Sequence, residues 1–177
     1  KSLWFDERLL VNLTVYHNTF DDLQTIASNP ASDPSGGLGT FVQNAGELEH
    51  KGAELEYQWR INQWLSLMGA VAYLDSEFQE FRGTPCAETG FHSVPADPTL
   101  PGLCDQTGLS NVNAPEWRHN TSLEANAPIA GTKMDWFARW TSVFLDDHDT
   151  AEDKDFRGFQ KSFWLHDAAV GLAGQDG

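Results

Sequence analysis

The chain has 177 residues, with 11 basic and 26 acidic side chains and a net charge of −15. That balance argues against a nucleic-acid partner, whose phosphates require a basic face, while the length is enough for one domain with a real core. The absence of any run of about 18 apolar residues excludes a membrane helix, but not a barrel, whose strands need only about 9–11 alternating residues.

Residues 3–5 read as a strand end and Asp6-Glu7-Arg8 as a tight turn. From 9 to about 25 a strand is predicted, with Val11, Leu13 and Val15 on one face and Asn12, Thr14 and Tyr16 on the other. Residues 27–39 are dense in Pro, Ser and Gly and form a loop. Gly37-Leu38-Gly39 leads into strand-like residues rather than a helix, so it is no dinucleotide fingerprint. A long strand covers 40–61, with Asn44-Ala45-Gly46 and Gly52 as expected bulges or close approaches.

The clearest signal lies inside that strand. Ala53, Leu55, Tyr57, Trp59 and Ile61 alternate with Glu54, Glu56, Gln58 and Arg60. Side chains of a strand point to opposite faces with a period of two, so this strand has one greasy and one wet side. After the joint at Asn62-Gln63 a return strand runs from 65 to about 81, with Leu65, Leu67, Val71 and Tyr73 opposite Ser66, Ala70 and Ala72. Two alternating runs with so short a joint form a β-hairpin.

Residues 83–113 are a long polar loop whose prolines (Pro85, Pro95, Pro98, Pro101) rule out a central strand. A strand follows over 114–127, with Trp117, Thr121, Leu123 and Ala125 outward and Ser122, Glu124 and Asn126 inward. A short turn occupies 128–132. The strand over 133–145 sets Met134, Trp136, Ala138 and Trp140 against Asp135, Arg139 and Thr141. An acidic loop spans 146–158. The last strand, 159–173, carries Trp164, Ala168, Val170 and Leu172 on one side.

Short and long connections therefore alternate strictly. In an all-β, antiparallel up-and-down meander, this places every short turn at one rim and every long loop at the other. That sorting is the pattern of a transmembrane barrel with short periplasmic turns and longer extracellular loops. A soluble sandwich has no reason to sort its loops this way. The chain begins at Lys1 in mid-pattern and stops in turn chemistry, so a segment of a longer protein is expected: about six strands plus a stub.

Three stretches carry a family resemblance. They are Phe20-Asp21-Asp22-Leu23-Gln24; Asn44-Ala45-Gly46 followed by Lys51-Gly52-Ala53-Glu54-Leu55-Glu56; and Asn113-Ala114-Pro115-Glu116-Trp117. In this order and spacing the chain resembles the C-terminal part of the barrel of TonB-dependent outer-membrane receptors. The resemblance implies a full barrel of about 22 strands, filled by an N-terminal plug that this chain lacks. It also implies a bacterial outer-membrane location. The partners implied are membrane lipid, TonB acting through the plug, and a scarce nutrient, most commonly an iron–siderophore complex. Cobalamin, haem and oligosaccharide stay open as ligands. The alternatives are a soluble β-sandwich that binds carbohydrate on its tryptophans and a passive porin.

Site expectations follow. Cys86 and Cys104 share the 83–113 loop, which on this reading faces an oxidising space, so a disulfide is predicted. The residues expected to capture ligand are His92, Asp97, Asp105, Asp147, His148 and Asp149. Glu54, Glu56, Arg60, Glu124, Asp135 and Arg139 are expected to face the lumen, as a wetted wall against the plug. Asp146, Asp147, Asp149, Glu152, Asp153 and Asp155 crowd one loop. Their spacing is not that of an EF-hand, and a solvated acidic loop is the simpler reading. The six histidines, His17, His50, His92, His119, His148 and His166, show no zinc-binding spacing. With no nucleophile elbow either, no enzyme and no cofactor are predicted.

Overall fold

The computed structural model describes residues 2–28, 40–84, 86, 94–99 and 103–174. Its strands in chain order are β1 (Ser2–Trp4), β2 (Leu9–Ser28), β3 (Thr40–Arg60), β4 (Leu65–Glu80), β5 (Arg82–Thr84) and β6 (Cys104–Asp105). There follow β7 (Trp117–Pro128), β8 (Met134–Leu145), β9 (His148–Asp149), a 3-10 turn at Phe156–Gly158, β10 (Phe159–Gln160) and β11 (Phe163–Gly174). Among the described residues one antiparallel sheet of seven strands runs β1-β2-β3-β4-β7-β8-β11. The remaining strands pair as β5 with β6 and β9 with β10, inside the long connections. This is the meander expected from the sequence.

Directly opposed residues in such a sheet share a face, so the register sorts every side chain. Leu13 opposes Leu55, which opposes Val71; the rung continues through His119 and Phe144 to Trp164. One step along, Asn12, Glu56, Ala70, Asn120 and Val143 oppose one another in turn. Arg60 opposes Ser66, Ser66 opposes Glu124, and Glu124 opposes Arg139. Glu54, Glu56, Arg60, Glu124, Asp135 and Arg139 thus all lie on the second, polar face.

All seven tryptophans are at least 38% exposed. A sandwich would cover the apolar face with a second sheet about 10 Å away. No described residue does so, and the sandwich alternative fails on that point.

Two glycines show how the register is held. At Gly52 the ring of Tyr16 from β2 lies over the backbone, where an added Cβ would sit 2.4 Å from it. At Gly69 the Tyr57 ring does the same, and an added Cβ would lie 2.3 Å from the Asn120 carbonyl oxygen. The Tyr57 hydroxyl then reaches past Gly69 to the Thr121 hydroxyl, 2.5 Å away. A backbone oxygen cannot step aside cheaply, and overpacking of this kind costs about 1–3 kcal/mol. Gly69→Ala is therefore expected to lower the unfolding free energy by an amount in that range, read as a fall in the urea midpoint. An unchanged midpoint would mean that β4 and β7 separate freely.

Some boundaries differ from expectation. Of the bulge or close approach expected at residues 44–46, the close approach is seen, with an added Cβ at Gly46 only 3.1 Å from the Glu80 side chain. The β2–β3 pairing keeps one register there, and the bulge lies just beyond, where the β3–β4 register shifts between Glu47 and Leu48. The strand expected over 159–173 is broken. Phe159 and Gln160 fold back on Asp149 and His148, and the sheet strand starts afresh at Phe163. The strand expected from 114 begins only at Trp117.

Candidate functional site

At the rim with the long connections, β4 outruns its neighbour. Tyr73 is its last residue paired with β7, yet β4 continues to Glu80. Beyond Tyr73 the returning loop takes the place of β7. Asn111 donates its N–H to the Ser76 carbonyl, Phe78 to that of Leu109, Gly108 to that of Phe78, and Gln106 to that of Phe81. Beneath this segment lies a small apolar core of Leu48, Phe78 and Phe81, each no more than 3% exposed, with Leu23 against it. The predicted disulfide joins Cys86 to Cys104, with Cα atoms 5.2 Å apart. It fastens β6 where that strand pairs with β5.

The acidic loop is stitched onto this layer. Asn113 donates its N–H to the Asp149 carbonyl at 2.7 Å, and the Gln106 amide donates to the Glu152 carbonyl at 2.7 Å. Lys154 is only 3% exposed. Its ammonium lies 3.0 Å from Asp149 Oδ2 and donates to the Ser110 carbonyl. Arg157 grips Asp155 with two hydrogen bonds, at 2.9 and 2.6 Å, while Asp155 also caps the 3-10 turn. The reading of 146–158 as a merely solvated acidic loop is corrected here. Its carboxylates take internal partners, and a buried lysine sits among them.

These contacts leave a cleft of about 200 Å³ between the two loops and the β4 extension. Asp147, His148 and Asp149 line one wall, Asp75 and Ser76 another, with Ser110 and Glu116 between them. So three of the six residues expected to capture ligand come together. Asp97 does not join them; its carboxylate accepts from the Thr99 N–H and hydroxyl at 2.7 and 2.6 Å, a local turn. Asp105 accepts from the Thr107 N–H and faces Arg82 at 3.6 Å. His92 lies outside the described residues. Lys154, Ser76 and Glu116 were not anticipated. The lone cation in a run of six carboxylates was the only available signal for Lys154.

On the outer side of the same extension, Glu49 receives Lys51 at 2.6 Å and His17 at 2.5 Å. Hydrogen bonding from Lys51, then from His17, holds the Glu49 carboxyl below its ordinary range. His50 points the other way, edge-on to Phe20 with ring centroids 5.1 Å apart and its buried Nε2 without a partner. Burial pushes its imidazole below the ordinary value of 6.5. A base depressed in the folded state is protonated first in the opened state. Its contribution to stability is complete above pH 6.5 and is lost as the pH falls below that value. Amide exchange of the β2–β3–β4 extension, corrected for intrinsic rate, is expected to be faster at pH 5.5 than at 7.5. His50→Gln should flatten that difference; a pH dependence that survives the substitution would assign it to another group.

Below the platform the apolar face carries two aromatic rows. Trp59 and Trp136 lie near the short turns, while Tyr73 and Trp117, then Phe144 and Trp164, pair near the long loops with centroids 4.9 and 4.8 Å apart. On β8, Phe144 lies eight residues beyond Trp136 and on the same face. At about 3.3 Å per residue and a tilt of about 40°, the rows stand roughly 20 Å apart, within the apolar band of an outer-membrane barrel, about 25 Å tall. The sequence model of the TonB dependent receptor-like β-barrel family matches residues 1–174. The chain belongs to that family. TonB-dependent receptor barrels reside in the outer membrane of Gram-negative bacteria, and the family consists of transporters rather than enzymes. Among the described residues β1 and β11 are the two edge strands of the sheet.

The opposite face of this receptor segment is polar and hollowed. A depression of about 400 Å³ crosses five strands and is lined by side chains that include Asn12, Glu56, Gln58, Met68, Asn120 and Thr141. Arg139 reaches Glu124 at 2.7 Å on the same face.

Proposed function

We propose that this segment serves a receptor that captures a ferric chelate of the siderophore type and imports it with energy from TonB. The observation that carries the reading is the platform. Two long loops are fastened to each other and to the β4 extension, so the rim presents a formed surface instead of free chain. Preorganisation of this kind lowers the entropy cost of binding. On this reading the polar face, with Glu54, Glu56, Arg60, Glu124, Asp135 and Arg139, is the lumen wall. A plug carried elsewhere in the receptor packs against it, and its energised movement opens the path. Capture is assigned to the rim that holds Asp147, His148 and Asp149.

The test is iron uptake by cells dependent on this receptor. Uptake of a ferric chelate is expected to stop when TonB is removed, and to fall when residues 146–158 are replaced by a short Gly-Ser turn. Uptake that continues without TonB would point to passive diffusion. Uptake of a haem or an oligosaccharide, with no ferric chelate accepted, would replace the ligand class.

A further inference from the structure

We infer that the rim cleft receives a protonated amine carried by the ligand, so that a cationic chelate is selected over its neutral or anionic counterparts; this rests on the import reading above. Acidic side chains alone would not support such a site. The cleft adds a feature that points to a missing donor. Ser76 is 3% exposed and lines it, yet its hydroxyl has no partner. Asp149 lines the same cleft, and its Oδ1 is also buried and unpartnered, while Oδ2 of the same carboxylate is held by Lys154. Buried polar atoms are normally hydrogen-bonded, and leaving one unpaired is costly.

A carboxylate can only accept, so a group that meets Asp149 Oδ1 in this cleft must bring an N–H or O–H. Lys154 offsets Asp149, and Asp75, Glu116 and Asp147 leave the field there negative, which favours a cation over a neutral donor. Among the described residues no three His, Cys, Asp or Glu groups converge well enough to hold a metal ion. A primary ammonium is less demanding, since its three donors are satisfied by two oxygens and water. A space of about 200 Å³ admits such a head group but not a whole chelate. The iron complex itself would rest on the platform outside.

The experiment uses the intact receptor, purified in detergent, and two matched probes: a ferric linear trihydroxamate with a free terminal amine, and the same chelate with that amine acetylated. Binding is read by tryptophan quenching at pH 7.5. The amine form is expected to bind about tenfold more tightly, as one charge-assisted contact would give. Ser76→Ala, which leaves every backbone bond in place, should collapse that preference, and so should Asp149→Asn made together with Lys154→Met, which strands no buried charge. Equal affinities, a preference unchanged in both variants, or no binding of either probe would overturn the inference. The import reading fails separately, when cells take up no ferric chelate of any charge in a TonB-dependent way.

Discussion

Lys154→Met is expected to release the acidic loop from the rim while leaving the barrel folded. The ammonium is buried and holds Asp149 and the Ser110 carbonyl together. Removing one partner of a buried ion pair strands the other charge, at a cost of about 3–5 kcal/mol. Even the lower figure corresponds to roughly a hundredfold more frequent local opening. Hydrogen exchange should show it at two amides that depend on the closure: Asn113, bonded to the Asp149 carbonyl, and Thr150, bonded to that of Gly158. Amides of β7 and β8 should not change. Adding Asp149→Asn to Lys154→Met should restore much of the protection, because the stranded charge is then gone. Unchanged exchange in the single variant would mean that backbone hydrogen bonds alone hold the loop.

The second large effect concerns the disulfide. Cys86 and Cys104 are 18 residues apart. Closing a loop of that length removes about 3 kcal/mol of conformational freedom from the opened state. The double variant Cys86→Ser, Cys104→Ser should let proteinase K cut between residues 84 and 106 at least tenfold faster on whole cells. The heat-modifiable gel mobility that reports a folded barrel should stay as it was. The buried Thr84 hydroxyl, which donates to the Cys104 carbonyl, would lose its fixed acceptor in the same step. Equal cleavage rates with and without the bridge would show that the pairing of β5 with β6 suffices.

The transmembrane part was legible in the sequence because a period of two persists through each strand. Ala53 to Ile61 against Glu54 to Arg60 set the faces of β3, and the observed register carries that sorting across the sheet. Apolar residues on the polar side, such as Met68, Phe137 and Val143, were not separable by alternation alone. The rim was much less legible, since its contacts join residues far apart in the chain. Nothing around Ser76 distinguishes it from any other polar residue in β4, and only the return of residues 103–112 buries it. Phe159 and Gln160 continue the alternation of β11 in sequence, while a local fold-back to β9 claims them. Lys154 is one cation among carboxylates, and its burial depends on Ser110, 44 positions earlier.

The substitution of a loop for β7 along the upper part of β4 bears on gating. A cover that swings on a hinge must shed its bonds to the frame at each cycle. Here the segment at residues 106–111 is laddered to β4 through main-chain hydrogen bonds and seated on Phe78 and Phe81. That part of the mouth behaves as fixed masonry. Any door for the solute has to hang from another stretch of the rim.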